Sequence, residues 1–208
     1  MIIEEVKFPQ SWDEITIKVW KEMNEVQSEY ESTKTIERMS IITDIDPEEI
    51  RALSFTEFGK FQQKLSFLNS SITNEVKTTF VLGNKEYGMI PNLDLISAGE
   101  WIDAENWKEK PVDNIHLYAA LIYRPITKKN DDGTYEIEPH TVHGFMSRAE
   151  RFNNELPITT IYGSVLFFSA LGMVSMESIT EYLVQLQKKE LKKTKKTQTR
   201  PRTKKRNK

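Results

Sequence analysis

The chain has 208 residues, a formal charge of −2, 38% apolar residues and no cysteine. This length and apolar content suit one domain with a real core, or one domain with a small addition. The lack of cysteine excludes disulfides, thiolate zinc sites, iron–sulfur clusters and cysteine nucleophiles. The sequence opens without a basic segment and a long apolar stretch, so we expect a cytosolic protein.

Charge divides the chain into two unlike parts. Residues 188–208 contain twelve basic residues and one acid, Glu190, whereas residues 1–187 have a net charge of −13. A segment this basic cannot pack a core, and repulsion between its charges keeps it extended. We therefore predict an acidic globular domain over residues 1–187 and a basic disordered tail over residues 188–208.

The N-terminal residues predict a short edge strand over 2–8 followed by a helix. Ser11 to Glu14 have the pattern of a capping box, in which the serine hydroxyl and the glutamate cap the start of a helix. From Trp12 to Val26, apolar residues recur every three or four positions, which predicts one amphipathic helix. The polar residues 27–34 predict a loop.

Further helices and a hairpin are predicted next. Ile36 to Ile45 have helical spacing, Asp46-Pro47 is typical of a helix start, and Ser54 to Glu57 repeat the capping box. Alternating apolar residues near 76–90, interrupted by Gly83-Asn84, then predict a β-hairpin with positive φ angles in its turn.

The second half returns to helical patterns. Ser97 to Glu100 form a third capping box, and Val112 to Tyr123 are apolar enough for a buried helix that Pro125 would end. Residues 126–139 predict a polar loop or a second hairpin. A helix is expected over Val142–Asn153.

Residues 158–176 carry no charge. A run of 19 uncharged residues is long enough to span a bilayer, but several amphipathic helices need an apolar element to pack on. We favour a buried central helix over a membrane anchor and expect no membrane partner. The predicted fold is α+β and predominantly α-helical, with about eight helices around this buried helix and one or two β-hairpins.

Polar clusters give only weak indications of chemistry. His140 and His143 are spaced to share a metal on a helix, but no third ligand is implied, and His116 is expected to be a core histidine. Asn130 to Gly133 resemble part of a calcium loop, but Lys128 stands where that loop needs an acid, so a tight turn is favoured. The acids from Asp44 to Glu49 are explained by helix capping. We predict no catalytic residue, no metal and no cofactor.

The basic tail is the one candidate for binding polyanions. Its candidate residues are Lys192, Lys193, Lys195, Lys196, Arg200, Arg202, Lys204, Lys205 and Arg206. Such a segment binds nucleic acid by releasing counterions, and without aromatic residues between the charges base stacking is not suggested. An acidic protein surface, the acidic domain itself and no fixed partner remain alternatives.

The order of these elements resembles a group of small proteins from the tail and virion genes of tailed bacteriophages, notably those of Bacteroidetes hosts. These proteins are described as tail-assembly-chaperone-like or baseplate-hub-assembly-like. The similarity covers residues 12–186. It is carried by Ile42 through Ile50, Phe58, Leu65 to Leu68, Gly83 to Tyr87, Ser97 to Asp103, Ala120 to Pro125, Arg148 to Phe152 and Tyr162 to Phe168.

The resemblance implies a protein that binds other phage virion or tail proteins during assembly, in the host cytoplasm or within the particle, without catalysis. It would act as an assembly chaperone or as a minor structural or packaged component. Candidate contact residues are Trp101, Tyr123, Arg124 and Phe145, each of which is equally compatible with the core. The alternatives are a nucleic-acid-binding accessory protein that uses the tail, and an enzyme with a polar pocket that the sequence does not reveal.

Overall fold

The computed structural model describes residues 6–92 and 95–170, and the chain divides into two units, residues 1–166 and 167–208. The first unit contains the helices α1 (Ile17–Glu25), α2 (Glu31–Thr43), α3 (Pro47–Arg51), α4 (Phe55–Lys64), α5 (Ala98–Asn106), α6 (Ile115–Ile122) and α7 (Val142–Glu155). A further helix, α8, begins in this unit and is described over residues 158–170. The predicted α+β, mostly helical fold is confirmed. The whole basic tail and residues 171–176 of the uncharged run lie outside the described residues.

Two hairpins form one antiparallel sheet. Its strands are β1 (Thr79–Leu82), β2 (Lys85–Met89), β3 (Tyr123–Lys129) and β4 (Tyr135–Ile137), in the order β1-β2-β3-β4. The hairpin predicted near 76–90 is β1–β2, and its turn has a positive φ of 60° at Gly83 alone. The polar segment 126–139 is the second hairpin, β3–β4, with a tight turn at Asn130–Gly133.

The prediction that a helix continues to Tyr123 and stops at Pro125 was wrong. Helix α6 ends at Ile122, and Tyr123, Arg124 and Pro125 begin strand β3, paired with Met89, Gly88 and Tyr87 of β2. Proline has no N–H to give to a ladder, but the Pro125 carbonyl accepts from Glu138 N at 2.9 Å. Apolar character was equally compatible with a buried strand, so periodicity could not locate this junction.

The predicted N-terminal elements also needed correction. The described residues 6–8 are not a strand, and Trp12–Glu14 form only a 3₁₀ turn capped by Ser11. The backbone is then extended where Thr16 pairs with Pro157: Ile17 N donates to Leu156 O at 3.0 Å, and Ile158 N donates to Ile15 O at 2.9 Å. This pairing between distant segments interrupts the predicted helix, and α1 begins only at Ile17, capped by the Thr16 hydroxyl.

The starts of α3, α4 and α5 follow local capping, whereas the start of α2 does not. Asp46 caps α3 with Pro47 at its first position, and Ser54 and Ser97 form complete capping boxes at α4 and α5. Helix α2 is longer than predicted, because it starts at Glu31 inside the expected loop. Its start has no side-chain cap, so no local pattern of residues marks it.

The core has two parts. In the N-terminal part, Phe8 packs edge-on against Phe61 of α4 at 4.9 Å, together with Met39, Ile45 and Ile50. In the second part, the buried faces of α6, α7 and the start of α8 pack with an aromatic cluster of Phe80, Tyr87, Tyr123 and Phe152. Ile158, Ile161, Ser164 and Val165 are buried, so the described beginning of the uncharged run lies in the core, as predicted.

Candidate functional site

Two of the four candidate contact residues lie in the core. Tyr123 is fully buried, and its hydroxyl contacts the Lys77 carbonyl and lies 2.6 Å from Ser164 Oγ. Burial raises the pKa of Tyr123 to about 12. Arg124 is also buried. The prediction that Tyr123 and Arg124 are surface contacts was wrong. Both residues belong to the core, which was the alternative, because the chain leaves α6 at this point and enters the central sheet.

The other two candidates lie on neighbouring helices and are partly exposed. Trp101 is on α5 and Phe145 is on α7. The Phe145 ring stacks on the ring of Trp107, which follows α5, with 5.9 Å between centroids and 5° between planes. The stack therefore joins the end of α5 to α7 and leaves part of an aromatic surface accessible.

A small cavity lies next to this stack, and we call it the α5–α7 cleft. Its volume is about 150 Å³, and its lining residues are Glu100, Asp103, Trp107, Leu121, His140, Val142, Phe145 and Met146. Val142 is 76% exposed and Met146 is 55% exposed. Small-molecule sites usually enclose about 300–1,000 Å³, so this cleft fits one protruding side chain better than a cofactor.

Charged residues meet around Glu100, which lines the cleft. The Arg124 guanidinium donates to Glu100 Oε1 at 2.6 Å, and these side chains are 4% and 5% exposed. His140 Nδ1 lies 2.8 Å from the same oxygen, close enough for an ionic contact but without hydrogen-bond alignment. The second oxygen of Glu100 accepts from the backbone N–H and hydroxyl of Ser97. Glu100 thus caps α5 and also holds that helix to strand β3.

A second buried guanidinium lies on α7. Arg148 donates from Nε and Nη2 to the Ala120 carbonyl and from Nη1 to the Gly144 carbonyl. Burial, followed by the charge of Arg124, lowers the pKa of Arg148 to about 10. Because these bonds are made to backbone carbonyls, Arg148 fixes α7 against the end of α6 and leaves the Glu100 carboxylate to Arg124.

This cluster also borders a cavity of about 640 Å³ beside β4, which Glu100, Arg124 and His140 help to line. Within the described part of the chain, Arg124 Nε has no hydrogen-bond partner. A glutamate that orients a histidine is a pattern found in general-base catalysis. Here, however, both Glu100 oxygens are committed to capping and to Arg124, and the Ser97 hydroxyl donates to Glu100 instead of to His140. The geometry accounts for a structural tie between α5, β3 and the segment before α7.

The histidines do not converge on a metal site. His140 precedes α7 and contacts Glu100, whereas the exposed His143 is in the first turn of that helix. His116 is half-buried on α6 with Nδ1 3.4 Å from Lys21 Nζ, and burial followed by this charge lowers its pKa to about 4. Among the described residues, no group of three or more metal-binding side chains is found.

Sequence reasoning missed Val142 and Met146. Together with Phe145, Ala149 and Phe152 they form one apolar stripe on α7, and only part of that stripe is buried. When the apolar stripe of a helix is wider than the surface that the helix buries in the core, the part left exposed indicates an additional interface.

Comparisons with protein-family models, with curated proteins and with solved structures each found no match to this chain. Within residues 6–92 and 95–170, no helix has the length and apolar character needed to cross a membrane.

Proposed function

We propose that this protein binds another virion or tail protein during bacteriophage assembly and acts without catalysis, as an assembly chaperone or a minor virion component. The sequence resemblance supports the phage context. The exposed apolar rim of the α5–α7 cleft supports binding of a protein partner. The partner is expected to insert an apolar side chain beside the Trp107–Phe145 stack.

The observation that carries the proposal is the exposure of Val142 and Met146 around a cleft that fits one side chain. Burying a large apolar side chain gains about 1.5–3 kcal/mol, and aromatic surfaces in partly enclosed sites often dominate binding energy. The Glu100–Arg124 pair and the Arg148 bonds hold α5 and α7 in place beneath this surface. A rigid surface loses little entropy when a partner binds.

A pull-down of the tagged full chain from infected cells tests this proposal. We expect tail, portal or baseplate proteins to be recovered by the native chain and lost with Val142→Asp. Phe55→Asp is the matched control, because Phe55 is 93% exposed and is also the first residue of a capped helix, where an acid is favourable. Recovery of host proteins alone, or equal loss with both variants, would contradict it.

The basic tail supports a second candidate function, nucleic-acid binding. Twelve basic residues and a single acid within residues 188–208 predict sequence-independent binding that weakens steeply with salt. Deleting residues 188–208 should abolish binding to a duplex DNA probe and to a single-stranded RNA probe. Equal binding by the truncated chain would exclude this function of the tail.

A further inference from the structure

A third cavity, separate from the α5–α7 cleft and from the cavity beside β4, lies among α1, α2, α4 and the segment that precedes β1. Its volume is about 660 Å³, and we call it the N-terminal groove. Trp12, Trp20 and Tyr162 contribute aromatic rings to its lining. All three are partly exposed, and Trp20 contacts Tyr162 edge-on at 6.0 Å. The groove therefore combines volume with accessible aromatic surface.

Half of the non-aromatic polar side chains of the groove are engaged elsewhere: Asn24, Thr35, Arg38 and Ser70 each donate to a backbone carbonyl. Gln62, Asn69, Ser71 and Asn74 line the groove, are exposed, and have no side-chain hydrogen bond within the described part of the chain. Each side-chain amide offers two N–H donors and a carbonyl acceptor, and the hydroxyl offers both roles. The lining thus presents donors and acceptors in one place, as a ligand with alternating N–H and C=O groups requires.

Charge is almost absent from the groove. As far as the described residues go, its lining contains one cation, Arg38, and no acidic residue, although residues 1–187 contain 30 acidic residues. Arg38 uses Nε to donate to the Met23 carbonyl at 3.1 Å. A lining without carboxylates does not repel carbonyl oxygens, and a single arginine does not provide the basic track that nucleic-acid backbones need.

The apolar part of the lining distinguishes between neutral ligands. Five aliphatic or thioether residues line the groove beside the three aromatic residues: the buried Met23, Met39 and Leu65, and the partly exposed Leu68 and Ile72. A sugar would use aromatic faces and amides but gains little from five aliphatic or thioether side chains. A peptide in extended conformation has apolar side chains for this surface and an unpaired backbone for the amides.

We propose that the N-terminal groove binds an uncharged, extended peptide segment of a partner protein. The aromatic and aliphatic residues take the apolar side chains of the segment, and the amides of Gln62, Asn69 and Asn74 pair with its backbone. Aromatic-lined grooves bind proline-containing segments in this way, because such segments are extended before binding. The role as an assembly partner rests on the proposed function, but peptide binding itself does not.

The full chain can be screened on an array of random 12-residue peptides, with binding of selected peptides followed by tryptophan fluorescence. We expect the selected peptides to be uncharged and rich in apolar residues or proline. Gln62→Ala combined with Asn69→Ala should weaken their binding about fivefold or more, since each lost hydrogen bond removes part of the affinity. Gln63→Ala is the matched control: Gln63 is exposed on the same helix and does not line the groove.

Three results would overturn the proposal: no peptide bound above background, equal binding by the double variant, or selection of oligosaccharides instead of peptides on a parallel glycan array. The test is independent of the pull-down, because neither Val142 nor Phe55 lines the groove. Selected peptides together with an empty pull-down would refute the assembly function alone. A partner recovered in the pull-down without any selected peptide would refute the groove alone.

Discussion

Replacing Arg124 by methionine tests whether the Glu100–Arg124 pair fixes the framework beneath the α5–α7 cleft. The variant keeps an unbranched side chain in β3 but leaves the Glu100 carboxylate, which is 5% exposed, without its guanidinium at 2.6 Å. Removing one partner of a buried ion pair typically costs about 3–5 kcal/mol, because the other charge stays buried without its counter-charge; Glu100 would keep its Ser97 donors but lose the guanidinium. We expect the free energy of unfolding to fall by that amount.

Urea unfolding followed by circular dichroism measures the loss. Arg51→Met is the control, since the Arg51–Glu48 pair lies on the surface of α3 with side chains 42% and 75% exposed and should contribute less than about 1 kcal/mol. Adding Glu100→Gln to Arg124→Met should recover part of the stability, because glutamine still suits the capping box and the buried carboxylate that lost its guanidinium is removed. A loss below about 1 kcal/mol for Arg124→Met would refute this reasoning.

Three further predictions concern the same framework, each measured by urea unfolding. Gly163→Ala would place a Cβ 2.4 Å from backbone atoms of the segment before β1, and should lower the free energy of unfolding by about 1–3 kcal/mol. In the control Gly59→Ala, the new Cβ meets nothing within 4 Å, so this variant should be neutral or stabilising. Equal effects of the two variants would contradict the close approach at Gly163. Ser164→Ala removes a buried hydroxyl that accepts from a backbone N–H at 3.2 Å and should cost about 1–3 kcal/mol; no loss would mean that this contact is unimportant. The pKa of His116 is about 4 in the folded chain and about 6.5 in the unfolded chain. Between these pH values the unfolded chain binds a proton at His116 that the folded chain does not, so the free energy of unfolding should fall as the pH drops from about 6.5 to about 4. His116→Gln should flatten that decline and His143→Gln should not; an unchanged slope in His116→Gln would contradict the assignment.

Local signals predicted those elements whose ends are fixed by neighbouring residues. The capping boxes at Ser54 and Ser97 and the Asp46-Pro47 start are satisfied within one helical turn, so the sequence alone is sufficient to locate them. Gly83 identified its hairpin turn for the same reason. The break before α1 depends on pairing of Thr16 with Pro157, which are distant in sequence, and no local pattern reports such pairing.

The candidate site was only partly predictable. Trp101 and Phe145 were candidate contact residues that were equally compatible with the core, and both lie on the helices that border the α5–α7 cleft. Glu100 was recognised only as a cap, since its second oxygen meets Arg124 and His140 through tertiary packing. Burial of a charge depends on which elements pack around it, and that information is absent from residue spacing.

The central claim is that the α5–α7 cleft binds a virion or tail protein. Its most direct test is the pull-down from infected cells, with the native chain compared with Val142→Asp and Phe55→Asp, and with the free energy of unfolding of each measured in parallel. We predict that a tail, portal or baseplate protein is recovered by the native chain and by Phe55→Asp, and is lost with a stably folded Val142→Asp. Undiminished recovery by Val142→Asp, or recovery of no phage protein by the native chain, would contradict the claim.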